Sequence, residues 1–461
     1  MRFYLYLFAS IVISFTAYGQ GSKMSSKEMK EFMIKEANIT NPDYSCFIPE
    51  SFDFSTFDSE NEHFLVFDGP DGSLMAIWTQ HFNIDEMYSR LVFSKSLNKG
   101  KSWYKPKILI GPSSIKDTVN KCAEWGFPIV SNSGRIYVLW NQNQGIAGWI
   151  KFHTGTMAGM YSDDFGQTWS KPQAIPMPKS PFDDPSGKTP GEWIVWQKPE
   201  RAPDGKHIVG YTHWINEAAS FYNKKTIPKG GWTWIESVVE FMRFENIDEN
   251  PEPKNIKINY TSWGDKALRV PHYIEPRLSI AQEPSIVDLP DGRLFCSMRT
   301  ASGYIWYSLS NDNGKTWCNP MPLLRKDHGE PILQPVSCCP IYKMKDGKFI
   351  LLHHNNRGNI TIPGEIHSPR NPAYIALGEF RPNADQPIWF SDSRVFLDNK
   401  FRKRDGQPDT TKRSNVGTYT SFSTSNGENI LWYPDRKCFL LGKKITNEFL
   451  EGLIVPGSGK P

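Results

Sequence analysis

The sequence predicts an all-β chain folded as a six-bladed β-propeller with four-stranded antiparallel blades. Three observations predict it. First, a strand–turn–strand unit recurs, with its turn at Pro70-Asp71-Gly72, Asn132-Ser133-Gly134, Pro203-Asp204-Gly205, Pro290-Asp291-Gly292 and Lys345-Asp346-Gly347, and in a degenerate form at Pro434-Asp435-Arg436. Pro presets φ at such a turn and Gly supplies the positive φ of a tight reversal. Second, the eight-residue pattern S-x-D/N-x-G-x-S/T-W occurs at Ser96–Trp103, Ser162–Trp169 and Ser310–Trp317. Third, aromatic residues make up 13% of the chain, with 35 Gly and 35 Pro, which suits packed sheets joined by many turns.

The turn glycines are spaced 62, 71, 87 and 55 residues apart, and the step from Gly347 to Arg436 is 89. Steps of this size fit four-stranded blades with insertions, and six copies predict six blades. The strand after each turn is apolar: Leu74 to Trp78, Ile136 to Trp140, His207 to Tyr211, Leu294 to Met298, Phe349 to His353 and Cys438 to Leu441. The eight-residue pattern falls about one strand after its hairpin, so it is expected to join the two outer strands of a blade. Its Asp or Asn bonds to its own turn and its Trp packs between sheets. Gly230-Gly231-Trp232-Thr233-Trp234 reads as a worn fourth copy.

In chain order, Arg2, the apolar run Phe3 to Phe15 and Ala17-Tyr18-Gly19 read as a secretory signal peptide over 1–19, cleaved before Gln20. Export to the periplasm or the exterior is the expectation, with no membrane insertion. Residues 20–50 form an N-terminal extension with a helix expected at Ser26 to Ala37, packed outside the first blade. Residues 51–461 form one propeller domain. Residues 178–196, 214–278, 355–372 and 399–418 read as loops or insertions, where binding surfaces tend to sit. Seven Cys is an odd number and no C-x-x-C pair occurs, so no metal site is expected from them. No cofactor is evident; a divalent metal and the oligomeric state stay open. The net charge of +4 is mild and no basic run appears, which excludes a nucleic-acid footprint.

The eight-residue pattern, repeated on hairpin units, resembles the Asp-box (BNR) repeat of the sialidase superfamily over roughly residues 60 to 445. The resemblance implies a six-bladed propeller. It also implies that Glu283 and Arg299 match that family's Glu and second triad Arg, with Arg357 and Tyr374 as candidates for the third Arg and the Tyr nucleophile. The chain departs from the family at Asn61-Glu62-His63-Phe64-Leu65, where the first triad Arg belongs, and at Trp78-Thr79-Gln80-His81, which holds no Asp.

In each hairpin the start of the first strand and the end of the second share one face. Position seven after each turn glycine brings Thr79, Asn141, Thr212, Arg299 and His354 there; the first-strand starts add Glu62 or His63, Glu124 with Trp125, Gln197 with Lys198, and Glu283. His81, His153, His213 and Arg357 follow nearby. The candidate catalytic residues are His153, His213, His354, Glu283 and Arg299; the candidate substrate-binding residues are Lys198, Arg357, Trp125 and Asn141; no metal ligands are named. A cation-rich mouth with a carboxylate suits an anionic glycan, its carboxylate gripped by Arg. The leading expectation is β-elimination on a uronate, a lyase or dehydratase of acidic polysaccharides, with His153 or His213 as base, His354 as acid or orienter, Arg299 with Arg357 or Lys198 as clamp, and Glu283 orienting Arg299. An exo-glycosidase of sialidase type and a non-catalytic glycan-binding propeller are the alternatives. The bland reading of Glu283 and Arg299 is a structural ion pair, and that of Trp125 a buried core ring.

Overall fold

A computed structural model describes residues 24–457 except 54–55, 84–87, 115, 149–152, 221–230, 360–365, 418–419 and 425–426. The signal-peptide reading therefore lies outside the described residues. Six antiparallel sheets form the blades of a propeller. Blade I comprises Glu60–Asp68, Leu74–Asn83, Tyr88–Ser96 and Lys107–Ile110. Blade II comprises Ala123–Val130, Ile136–Gln142, Thr156–Ser162 and Gln173–Ala174. Blade III begins with the broken strand Glu192–Val195 and Glu200–Arg201, then His207–Trp214, Ser237–Phe244 and Ile258–Thr261. Blade IV comprises Ala281–Asp288, Leu294–Thr300, Trp306–Ser310 and Met321–Pro322; blade V comprises Ile341–Lys343, Phe349–His353, Ala373–Phe380 and Ile388–Phe390.

Blade VI runs Ser421–Ser423, Ile430–Asp435, Phe439–Lys444, and its fourth strand is Tyr44–Phe47 from the other end of the chain. This closes the ring and moves the start of the propeller to before residue 51. The helix Ser26–Ala37, begun by a Ser25–Glu28 capping box, packs on blades V and VI rather than on blade I. Glu36 pairs there with Arg402 at 2.7 Å and Arg436 at 2.8 Å. The sixth turn is also corrected. Pro434-Asp435-Arg436 lies between the second and third strands, and the inner hairpin of blade VI turns near Gly427, at φ +79°.

The five turn glycines hold φ between +77° and +94°. At Gly72, Gly205, Gly292 and Gly347 a Cβ would meet nothing within 4 Å, so backbone conformation alone selects Gly. The three eight-residue repeats do join third to fourth strands. In each, the Ser hydroxyl accepts from the Gly N–H (2.9, 2.9 and 2.8 Å) and the Asn or Asp carboxyl or carbonyl accepts from the Ser or Thr N–H (2.9, 2.8 and 2.8 Å). Each Trp then packs on the preceding blade: Trp103 on Trp432, Trp169 on Phe93, Trp317 on Phe241. Gly231–Trp234 is a 3-10 turn before the third strand of blade III, so it is not a fourth copy. The core lies in the gaps between blades, with Trp78, Trp140, Trp193 and Trp432 fully buried; each such ring stabilises by about 2–3 kcal/mol. All seven Cys are free thiols. Among the described residues no helix is long and apolar enough to cross a membrane.

Candidate functional site

The inner strands of blades I, II and IV share a local distortion. Pairing with the second strand slips between Glu62 and Leu65, between Glu124 and Phe127, and between Gln282 and Ser285. At each slip one non-glycine residue takes a left-handed backbone: His63 at φ +53°, Trp125 at +55° and Glu283 at +47°. Each stands nine residues before its turn glycine, and the same step reaches Trp196 in blade III and Cys338 in blade V. A bulge turns its side chain out of the sheet, and the three bulged side chains, His63, Trp125 and Glu283, come together with Trp196 and Cys338. The previous blade braces two of the bulges. Thr79 Oγ1 accepts from Trp125 N at 3.2 Å, and Thr212 Oγ1 accepts from Glu283 N at 2.7 Å.

These residues meet. The rings of His63, Trp125 and Trp196 lie 5.4 Å from one another, Trp125 is 5.3 Å from His153, and His153 stacks on Trp214 at 4.3 Å and 7°. Beside them, Glu62 pairs with His81 at 2.9 Å and Lys437 at 2.5 Å. Burial alone would raise the Glu62 carboxyl, but Lys437 and His81 outweigh it and hold it well below the usual range. Burial would lower His81, but Glu62 and then Glu124 raise it. Glu124 takes a hydrogen bond from Ser89 Oγ at 2.5 Å; burial pushes its carboxyl up to about 7, against the pull of His81. Two carboxyls in one cluster are thus driven apart, one kept ionised and one holding its proton up to about pH 7. Burial pushes His63 down to about 4 and His153 down to about 3, so both are neutral near pH 7.

Glu283 and Arg299 form a buried ion pair. It adjoins the same cluster: Arg299 and Glu62 both act on His153, and Glu283 and Arg299 both act on Cys338, which packs with Trp125 and Trp196. Several of its buried atoms lack a hydrogen-bond partner among the described residues: His153 Nδ1, Glu283 Oε2 and Trp214 Nε1. Such atoms are costly and concentrate where a protein binds something. Among the described residues no group of three or more His, Cys, Asp or Glu is arranged to hold a metal ion.

The expected open mouth is corrected: Glu62, His63, His81, Glu124, Trp125, Glu283 and Arg299 are each 5% exposed or less. Nor do all the predicted residues converge. His213 sits between Asp183 (3.2 Å) and Glu240 (2.9 Å), which outweigh its burial and raise it to about 9. That imidazolium faces a cavity of about 420 Å³ between blades II and III. His354 Nδ1 meets the Pro372 carbonyl at 3.2 Å, and burial pushes it down to about 3. Asn141 Nδ2 donates to the His153 and Trp193 carbonyls, so it ties blade II to blade III. Trp125 is wedged between rings rather than offered as a platform. The Arg357 guanidinium lies 4.7 Å over the Tyr304 ring, between blades IV and V. Tyr374 is on the third strand of blade V, 6.0 Å from His353, and does not line the axis. Lys198 lines the opposite axial opening, where its Nζ donates to the Phe422 carbonyl at 3.0 Å beside Asp68 and Glu200. Glu62 and His81 were expected on this face but were not among the candidate site residues, and Lys437 was missed. The nine-residue step back from each turn glycine was the signal that finds the ring, with Glu62 and Glu124 one residue earlier; Lys437 had none.

The family described as BNR repeat-like domain matches residues 72–400. No curated protein matches the sequence. Among solved structures, a Hadza microbial sialidase, Hz136, is similar at 14% identity and TM-score 0.54, covering 85% of this chain and 66% of its own. The intramolecular trans-sialidase from Ruminococcus gnavus is similar at 13% identity and TM-score 0.57, covering 87% and 97%. A protein of unknown function from Dyadobacter fermentans is similar at 13% identity and TM-score 0.53, again over 87% and 97%. At these identities the likeness concerns the fold alone.

Proposed function

The chain belongs to the BNR repeat-like family, and from that premise we propose that it hydrolyses a glycosidic bond in an acidic glycan. One observation carries the reading. Blades I and II bring two carboxyls to the axis with opposite protonation preferences, next to the Glu283–Arg299 pair from blade IV. Glycoside hydrolysis needs that division of labour between carboxyls. Glu124, protonated below about pH 7, gives its proton to the departing glycosidic oxygen as the anomeric C–O bond breaks. Ionised Glu62 faces the positive charge that develops on the sugar, and water closes the reaction. Arg299 grips the sugar carboxylate through two N–H groups, trading part of its contact with Glu283. Because these groups are buried, the sugar enters by displacing neighbours; His153, half-buried, is the most exposed ring of the cluster.

A second reading keeps the elimination chemistry. His153 is neutral and its Nδ1 has no partner among the described residues, so it retains the lone pair a base needs. His213, protonated and held by two carboxylates, does not. Incubation with acidic oligosaccharides separates the readings. Hydrolysis is expected, giving new reducing ends with no ultraviolet-absorbing unsaturated sugar. Unsaturated product overturns it in favour of elimination, and neither product leaves a glycan-binding propeller.

A further inference from the structure

The opposite face of the propeller carries a second feature that the axial cluster does not use. Each blade I strand crosses from one face to the other, so the Ser96–Trp103 turn lies roughly 25 Å from Glu62 and Glu124. From Lys95 to Lys107 the chain holds five lysines and no acidic residue. They alternate with other residue types, which hides them from a search for basic runs. Lys99, Lys101, Lys105 and Lys107 are exposed. A groove of about 360 Å³ runs between this segment and the Phe165–Gln167 turn of blade II. Asp71 is the one carboxylate lining it, already paired with Lys95 at 2.6 Å. Three of these lysines, Lys95, Lys105 and Lys107, line the groove against that one aspartate, an excess of two positive charges. Lys101, Lys105 and Lys107 make no ion pair among the described residues.

The groove is also rimmed by large apolar surfaces: Tyr104 is 59% exposed, Leu97 63% and Phe165 41%. Uncompensated like charges repel and exposed rings cost solvation, so this combination on a rigid turn marks a binding surface. We propose that it holds an anionic polysaccharide chain, resting on the reading of the substrate as an acidic glycan. Lysines supply point charges for spaced carboxylate or sulfate groups, and Tyr104 and Phe165 supply faces for sugar rings. The segment holds no arginine, the side chain best suited to phosphate and nucleic acid. The surface keeps the enzyme on polymer while the axial site works on chain ends or fragments.

Affinity electrophoresis through gels containing polygalacturonate, dextran sulfate or neutral dextran tests the proposal. The wild-type chain is expected to be retarded by polygalacturonate, less so as salt is raised, and not by dextran. Retardation by dextran sulfate in addition shows that sulfate serves as well as carboxylate. The triple variant Lys101→Ala/Lys105→Ala/Lys107→Ala, and Tyr104→Ala alone, are expected to bind polygalacturonate about tenfold or more weakly. Both are expected to keep wild-type melting temperature and wild-type turnover of short acidic oligosaccharides. Glu124→Gln is expected to be retarded like wild type, so a failure of the axial reading is distinguishable from a failure here. Absent retardation of wild type, unchanged retardation of the triple variant, or equal binding of duplex DNA or anionic vesicles overturns the proposal.

Discussion

Glu124 is where burial and chemistry meet most sharply. Its folded carboxyl titrates near 7 and its unfolded one near the usual 4.5. Between those values the unfolded chain has lost the proton and the folded chain still holds it, so stability falls as pH rises through that window and levels off above it. Glu124→Gln removes the penalty while keeping an acceptor for Ser89. The variant is expected to be more stable than wild type at pH 8, by about 3 kcal/mol, and to match it near pH 4. The same variant is expected to lose about a hundredfold or more in kcat, as loss of a general acid does. Wild-type kcat/KM is expected to fall as pH rises through about 7. Melting curves and a pH–rate profile check both parts. His213 runs the other way. Its folded value is raised to about 9, so its ion pairs stabilise fully below about 6.5 and are lost as pH rises through 9. Asp183→Asn is expected to shrink that contribution and to leave turnover unchanged, since His213 faces away from the axis. At this scale the sequence was a partial guide. Glu283 and Arg299 were legible because the two strand ends of one hairpin are neighbours. His213 and His354 were not, because a strand-end residue points to either face and partners such as Asp183 and Pro372 come from distant segments.

The bulge is the element that builds the site. Three left-handed, non-glycine residues are strained positions kept where the surrounding sheet fixes them. The brace from Thr212 to Glu283 N shows how one blade sets the next. Thr212→Val keeps the shape and removes the acceptor, stranding a buried N–H. The expected cost is about 1–3 kcal/mol, read as a lower melting temperature, with a rise in KM for acidic substrates as Glu283 and Arg299 lose their position. Thr212→Ser is expected to restore both. The Asp-box turns behave differently. Asp164→Ala breaks bonds to Thr168 at an exposed rim, and is expected to cost about 1 kcal/mol with no change in kcat. Hairpins and Asp-box turns were legible because their glycines and Asx side chains act locally. The bulges were not named, since a positive φ at His, Trp or Glu leaves no compositional mark.

At the scale of the molecule, closure depends on the N-terminal segment. Tyr44–Phe47 is the outer strand of the last blade, and Glu36 neutralises the buried Arg436. Removing residues up to 50 exposes a strand edge and leaves that cluster with Asp435 alone. The shortened chain is expected to melt well below the full one or to aggregate. The sequence placed this segment on the first blade because the first and last blades are neighbours only after the ring has closed. Six blades were legible from the repeats even though the sixth turn was misplaced by the Pro434-Asp435 pair. The central claim is that an acidic sugar is held on the axis by Arg299 with Glu124 at its glycosidic oxygen. A crystal structure of Glu124→Gln with a bound acidic oligosaccharide tests it most directly. A sugar carboxylate is expected on the Arg299 guanidinium, with the glycosidic oxygen within hydrogen-bond reach of residue 124. Sugar bound only in the cavity between blades II and III, with the axial cluster unaltered, would contradict it.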